Sequence, residues 1–584
     1  MTAGAIVAHA PARRRLFPSS LWLVVPGILF LLLFFVLPVM RLLTLSFQDP
    51  TTGAWSLASY WHIVKTDVYI RVLGITFSIS GYTAIFSVLL GYPVAYWLAR
   101  MPERQRGPLL LLVMIPFWTS YLVKTFAWTI MLGRAGVINT LLMSLGIISE
   151  PLSLIHNRFG VMVGMVHSMT PLAVVTMLPV MIGIDRSLVD AAKTLGATPA
   201  HAFWTVYFKL SLPGLTAAGL LVFISSLGFF IVPALLGGRL DTMLAQLIIT
   251  QVQELLNWSF AGALAAMMLA AALLSCWVYD RMFGLSSISG QSGQESASRL
   301  RLVAQHVLHA LASVSARLAD LMRAVIGGQG TARLLPAAVW LVLGFLILPT
   351  LVVVPVAFTS SQFLDFPPPG YSLRWFDTYF SSQLWISATV RSFLVATVTA
   401  VLATAIGGFS ALALARSQSR WNGLIFGFFL APLIVPRIII AVGLFYLFAQ
   451  MGLVATNAGL IIGHTVLAVP FTFVTMAAVL KSYDWRLDQA AATLGANRLS
   501  TLTQVTIPLL KGGIVAALLF AFITSFDELT IAIFISGGIT TTLPKQMWDD
   551  MILQLNPTLA AVSVVVSVVI TAVLLAAERF RRPA

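Results

Sequence analysis

The chain has 584 residues, 59% of them hydrophobic and 9% charged, with a formal net charge of +15. Soluble domains run at about 45–50% apolar and about 25% charged, so the composition excludes a soluble domain and defines an integral membrane protein. The basic residues fall in short loops between apolar runs and form no continuous basic face with aromatic stacking positions, which excludes a nucleic-acid-binding protein and fits loops held on the cytoplasmic side. The single cysteine, Cys276, lies in an apolar run, so a disulfide within the chain is impossible and a cysteine metal site is excluded. The histidines form no HExxH, and the HxxH of His306 and His309 reads as an ordinary helix face, so no metal or cofactor is expected on this chain.

In chain order, the first apolar run, about Leu21 to Met40, follows Arg13, Arg14 and Arg15. It is too long for a signal peptide, and Arg41 follows it without a small-residue cleavage pattern. A first transmembrane helix with its amino end in the cytoplasm is predicted. Further spans are predicted at about 72–99, 108–132, 160–184, 214–237 and 258–280, then at 335–358, 386–415, 422–447, 456–480, 512–536 and 556–577. That makes twelve spans, six per half, in an all-α membrane protein. Arg100, Arg104 and Arg106, their counterparts Arg416 and Arg420, and the terminal Arg579, Arg581 and Arg582 all belong on the cytoplasmic face. With an even number of spans per half, the halves enter in the same direction and form a parallel repeat about an axis along the membrane normal.

The repeat is visible residue by residue. DAAKTLGA starts at Asp190 and QAAATLGA at Gln489. Gly91 and Gly407, Pro116 and Pro432, and Gly136 and Gly452 are each 316 apart. Pro171 and Pro470, Asp185 and Asp484, and Gly196 and Gly495 are each 299 apart, so the first half holds 17 extra residues, within about Ser144 to Gly160, expected to face the periplasm. The expected domains are residues 1–283, a cytoplasmic linker at 284–332, and 333–584. The linker begins SSISGQSGQESAS, flexible by composition. It continues as a basic amphipathic stretch, Arg299 to Arg323, with Leu300, Val303, Val307, Leu311, Val314, Leu318 and Leu321 at helical spacing, expected to lie at the membrane surface.

Each repeated segment reads as helix, turn and helix. Asp185 and Asp484 can accept hydrogen bonds at a helix start, and Gly196 and Gly495 can take the left-handed conformation that stops it. Thr198 with Pro199, and Asn497, read as second caps. Ala191, Ala192, Ala490 and Ala491 leave a low face, while Leu195 and Leu494 offer an apolar knob to a partner's groove. One such loop could be an ordinary well-capped surface helix; the same device twice at one membrane face points to two matched docking loops.

These residues carry a family resemblance. An acidic residue, two alanines, three residues, glycine, nine residues and an apolar-x-apolar-proline element resemble the signature loop of permease subunits in binding-protein-dependent ABC importers. The second copy fits through Gln489, Ala490, Ala491, Gly495, Val505, Ile507 and Pro508, with glutamine for the acid; the first has Asp190, Ala191, Ala192, Gly196, Val206 and Phe208, but Lys209 in place of proline. TSYLVKTFAWTIMLGRAGVIN from Thr119 and SLGFFIVPALLGG from Ser226 look like one permease subunit of spermidine/putrescine importers, and GHTVLAVPF from Gly463 and SFDELTIAIFISGG from Ser525 look like the other. The resemblance implies two parallel six-helix permease halves of the type I importer fold joined in one chain, in a bacterial inner membrane with both termini cytoplasmic. It implies that Asp190, Ala191, Ala192, Leu195 and Gly196, with Gln489, Ala490, Ala491, Leu494 and Gly495, form loops seated in two ATPase subunits. This chain has no GxxxxGK[ST] loop, so ATP belongs on the partner. A periplasmic solute-binding protein would deliver the solute.

For the pathway, Asp527 and Glu528 lie about fourteen residues into the fifth span of the second half, roughly 21 Å deep at about 1.5 Å per residue. They read either as an attractive site for a cationic solute or as a structural pair with Arg437 or another buried base. The aligned positions of the first half are Gly228 and Phe229, and Trp118, Tyr121 and Trp128 of its third span could meet an ammonium group with their ring faces or serve as packing. Lys124 and Arg437 oppose a simple cation channel. The expected solute is a polyamine, with an opine, an aminophosphonate or another small solute as the alternative. A secondary transporter would lack a reason for two docking loops, and an enzyme would need a convergent catalytic set that these spans do not contain.

Overall fold

The computed structural model describes residues 21–49, 52–283, 313–315, 317, 328–538 and 540–581. His306, His309 and most of the amphipathic stretch fall outside them. Among the described residues the chain is helical, with only three isolated bridge pairs of extended backbone. Helix is the form in which a single span closes all its backbone hydrogen bonds without water. Among the described residues, nine helices are long and apolar enough to cross a membrane, or up to eleven if each bent pair counts as one span.

The departures from twelve continuous spans are systematic. The predicted span at 108–132 is two helices, Glu103–Trp118 and Tyr121–Leu132, and its counterpart at 422–447 is Asn422–Ile434 and Arg437–Met451, bent by 92°. The fifth spans break as well. Pro199–Leu227 gives way at Gly228 to the short helix Ile231–Leu236, and Lys511–Phe526 gives way at Asp527 to Thr530–Ile535. The two third-span breaks follow from matching punctuation. Pro116 and Pro432 each remove a backbone donor near the end of the leading helix, and Ser120 and Pro436 start the trailing one.

Packing repeats where the sequence repeats. Gly91 lies against Ala173, Val174 and Met177, and Gly407 against Thr472 and Phe473, so each second span crosses its fourth span at a glycine. At Gly407 an added Cβ would collide with the Thr472 hydroxyl, itself bonded to the Ala403 carbonyl at 2.7 Å, and would sit 2.7 Å from the Phe473 amide nitrogen. Gly407→Val is therefore expected to destabilise by about 1–3 kcal/mol, the range for overpacking. Thermal unfolding in detergent checks it against Gly408→Val, whose Cβ meets nothing nearer than Met476 at 3.7 Å.

The halves are not separate bundles. The first span of the first half, Trp22–Leu45, packs on the second half: Gly27 against Ser410 and Phe429, and the Pro38 backbone against Gly443. The first span of the second half, Gly328–Ala357, reciprocates against the first half, where His167 Nε2 lies 3.0 Å from the Leu346 carbonyl and Phe345 packs on His167 and Trp128. Each half thus clasps the other with its leading helix.

The fourth span, Arg158–Ile182, separates two ends of the molecule by roughly 37 Å at about 1.5 Å per residue. The extra segment of the first half lies before it, pinned by Asn139 to the Leu152 backbone; the repeated loop lies after it.

Candidate functional site

Both repeated loops fold as helix, turn and helix at one end of the bundle. In the first, Asp185 accepts from the Ser187 amide at 2.9 Å and starts the helix Arg186–Thr194; the Ser187 amide and hydroxyl hold the Asp185 carboxyl below the usual carboxylate range. In the second, Asp484 accepts from the Arg486 amide at 3.0 Å from two residues before the helix Arg486–Thr493, whose cap position is Trp485. Gly196 and Gly495 stop these helices at φ +90° and +87°. The next amide folds back in each case, Ala197 to the Ala192 carbonyl at 3.1 Å and Ala496 to the Ala491 carbonyl at 3.0 Å. Thr198 then caps His201 and Asn497 caps Ser500.

The consequence is a pair of exposed apolar tips. Leu195 is 89% exposed and Leu494 88%, each beside its glycine, with Ala191 and Ala490 also exposed and Ala192 and Ala491 half-buried. Asp190 pairs with Lys193 at 2.9 Å on the surface, and Gln489, its counterpart, is exposed.

Two features of these loops escaped the sequence reading. A single π-helical turn follows each loop, Phe203–Tyr207 and Leu502–Thr506, at the foot of each fifth span; a widened turn leaves no mark in an apolar pattern, though such turns cluster at functional sites. The other is Asp488, just before Gln489. It accepts from Arg416 at 2.5 Å, from the Tyr483 hydroxyl at 2.6 Å and from Thr506 at 3.2 Å, tying the loop helix to the second span and to the π-helical turn. The corresponding first-half residue is Val189, and there Arg186 donates to the Ala99 carbonyl at 2.7 Å instead. Charge-assisted hydrogen bonds contribute about 1.5–3 kcal/mol each, so Asp488→Ala is expected to loosen the loop helix from the second span and raise its cleavage by protease about tenfold while leaving the folded yield intact, as limited proteolysis and size-exclusion profiles would show.

The second site lies where the four breaks meet. The third-span break of each half faces the fifth-span break of the other. Asp527 accepts from the Tyr121 amide at 3.4 Å. Gly228, aligned with Asp527, abuts Pro436 and Arg437, aligned with Ser120 and Tyr121; a Cβ at Gly228 would lie 3.0 Å from Pro436 Cβ and 3.6 Å from the Arg437 nitrogen. The two crossed contacts are the same contact with different residues.

Most of the sequence-derived pathway residues gather here. The Tyr121 and Phe229 rings meet edge to face at 5.0 Å, and Lys124 Nζ lies 4.1 Å above the Tyr121 ring. Asp527, Tyr121, Phe229 and Trp118 are half-buried and Arg437 is exposed. Lys124 and Glu528 stand inside the wall. Lys124 is 1% exposed and donates to the Pro116 carbonyl at 3.1 Å, closing the end of the broken helix. Glu528, 1% exposed, accepts from the Ile531 and Ala532 amides at 2.8 and 3.3 Å and so caps Thr530–Ile535. His464 Nε2 lies 3.6 Å from its carboxylate, and His464 Nδ1 lies 2.8 Å from Ser525 Oγ. Trp128 is packed on His167 and Phe345, 4% exposed.

Two interlocked parallel halves, four broken spans converging on one centre and two matched loops at one end define a membrane permease built from a duplicated unit. A family model described as the binding-protein-dependent transport system inner membrane component matches twice, over residues 87–286 and 403–582, and the chain belongs to that family. It is a multi-pass inner-membrane transporter component. It is 30% identical over 256 residues to the spermidine/putrescine transport system permease protein PotB of Haemophilus influenzae, covering 43% of this chain and 89% of that one. It is 26% identical over 246 residues to the permease protein PotC of the same system and organism, covering 42% and 95%. Among solved structures, a bacterial ABC transporter involved in the import of the acidic polysaccharide alginate matches 45% of this chain and 96% of that one, at 17% identity and a TM-score of 0.36.

Proposed function

We propose that this chain forms both membrane halves of an importer that brings a small organic amine into the cell, with both of its termini in the cytoplasm. Two separate ATPase subunits drive it, one seated on each repeated loop, and a periplasmic solute-binding protein feeds it. The observation that carries the reading is the pair of loops with glycine-stopped helices and fully exposed Leu195 and Leu494 at the same end. Exposed leucines beside a left-handed turn, twice, are a surface made to be covered. ATPase closure then pulls both loops together, and each pull enters a fifth span through its π-helical turn and reaches the break at Gly228 or Asp527.

For the solute, Asp527 with the half-buried rings of Tyr121 and Phe229 supports an ammonium-bearing molecule held by charge and ring faces. Putrescine and spermidine, which name the transport system of the relatives, are the first candidates. Stoichiometry tests the architecture. Native mass measurement of the assembled transporter should find one copy of this chain with two ATPase subunits; a functional assembly with two copies of this chain would refute it.

A further inference from the structure

We propose that one anionic phospholipid, from the leaflet beside the repeated loops, sits in a groove on the outer face of the first half, with its acyl chains along the groove and its phosphate on Arg100. The groove is a cavity of about 1570 Å³ between the second span Asp67–Arg100, the fifth and sixth spans of the first half and the start of Gly328–Ala357. Small-molecule sites run at about 300–1,000 Å³, so the space suits a longer occupant. Its walls are mostly aliphatic and aromatic, and Ile85, Leu89 and Leu274 on them are exposed within spans, where the surrounding medium is hydrocarbon. From Ala84 to Arg100 the groove follows the second span for roughly 24 Å at about 1.5 Å per residue. One leaflet with its headgroups is roughly 20–22 Å deep, half of the bilayer's about 40–45 Å. The groove is one lipid long.

The end at Arg100 supplies the charge. Arg186 of the first repeated loop donates to the Ala99 carbonyl at 2.7 Å, so Arg100 lies at the end of the bundle that carries the loops, the cytoplasmic face on the function proposed above. Arg100 is exposed, with one donor on the Tyr96 hydroxyl at 3.0 Å and its guanidinium 5.3 Å from the centre of the Tyr96 ring. Tyr96 is itself packed on Phe203 and Tyr207, ring centres 5.1 and 4.9 Å away, which holds the arginine at the mouth of the groove. Arg100 makes no ion pair among the described residues, and its remaining planar donors suit a phosphate. Trp204, on the π-helical turn Phe203–Tyr207, adds an aromatic ring of the kind membrane proteins place at headgroup depth. The second half lacks this arrangement. Arg416, the counterpart of Arg100, is taken by Asp488 at 2.5 Å, and Gly408, Leu412 and Thr503 stand where Tyr92, Tyr96 and Trp204 line the groove. One site per chain follows.

Native mass spectrometry of the delipidated full chain in detergent tests this with dioleoylphosphatidylglycerol and dioleoylphosphatidylcholine, which share both acyl chains and differ in headgroup and net charge. The first phosphatidylglycerol should bind wild type at least about fivefold more tightly than the first phosphatidylcholine, the gain expected of one arginine beside an anionic headgroup. Arg100→Gln should remove that preference and leave phosphatidylcholine binding unchanged, which also shows the variant to be folded. Arg104→Gln, at an exposed position on the next helix, should keep the preference. Gly219→Leu, whose Cβ has only Val88 near it at 4.0 Å and whose longer side chain fills the groove, should weaken both lipids. Equal binding of the two lipids by wild type, a preference that survives Arg100→Gln, an equal loss in Arg104→Gln, or lipid binding untouched by Gly219→Leu would each overturn the site. So would displacement by excess glycerol phosphate, which would put binding on the headgroup alone. A wild type that takes neither lipid would leave the groove to the chain's own segment between Phe283 and Gly328, whose ends adjoin it, and would overturn the lipid.

Discussion

Leu195→Asp combined with Leu494→Asp is expected to abolish ATPase association and ATP-driven uptake without lowering the yield or thermal stability of the chain. Both side chains are almost wholly exposed, so the fold loses no buried surface when they change. On the proposed docking, an ATPase would lose two apolar contacts worth about 1.5–3 kcal/mol each when fully buried, and would have to desolvate two carboxylates instead. That amounts to more than about a hundredfold in association. Gly196→Trp and Gly495→Trp should act in the same direction more severely, since a bulky side chain at φ +90° or +87° also strains the turn that presents the leucine. Copurification with the ATPase and uptake by reconstituted vesicles measure both effects. Wild-type association and transport in the double aspartate variant would remove the docking role of these loops.

The second large effect separates two neighbouring acids. Glu528→Ala is expected to destabilise the protein by about 3–5 kcal/mol, because the Ile531 and Ala532 amides lose their acceptor in a dry interior and a cavity replaces the carboxylate. Little folded protein should survive extraction. Asp527→Asn, at a half-buried position with a single amide contact at 3.4 Å, should leave assembly intact and lower uptake of an amine by about tenfold or more through loss of the negative charge. Fluorescence-detected size exclusion reads the first outcome and vesicle uptake the second. Equal behaviour of the two variants, both misfolded or both folded and inactive, would undo the division of roles. Sequence alone treats Asp527 and Glu528 as one feature; a one-residue step at the end of a helix turns one toward the break and the other into the wall.

The duplication, the membrane-spanning class and the local shape of the repeated loops were legible in the chain. They depend on short-range physics: apolar run length, charge placement, a cap before a helix and a glycine after it. Asp185, Gly196, Thr198, Gly495 and Asn497 adopt the conformations their residue types prefer, with little help from the rest of the fold. What periodicity could not show is where a span breaks, since Glu103–Trp118 and Tyr121–Leu132 are apolar on both sides of Thr119 and Ser120 and read as one run. Nor could it show the exchange of first spans between halves, because Gly27 and Gly443 mark close approaches only once their partners Phe429 and Pro38 are in place.

Asp488 was invisible for the same reason. Its partners Arg416, Tyr483 and Thr506 come from three separate stretches, and nothing in its own neighbourhood distinguishes it from a solvated helix acid. Lys124 and Arg437 looked alike as basic residues at the start of matching helices, yet tertiary contact buries one on the Pro116 carbonyl and leaves the other exposed opposite Gly228. Composition and spacing determined that this protein is a duplicated membrane protein with two matched loop devices. Which of its charged groups close the broken backbone and which do not was decided only by the tertiary structure, because hydrogen-bond satisfaction at a helix break depends on atoms brought from elsewhere in the fold.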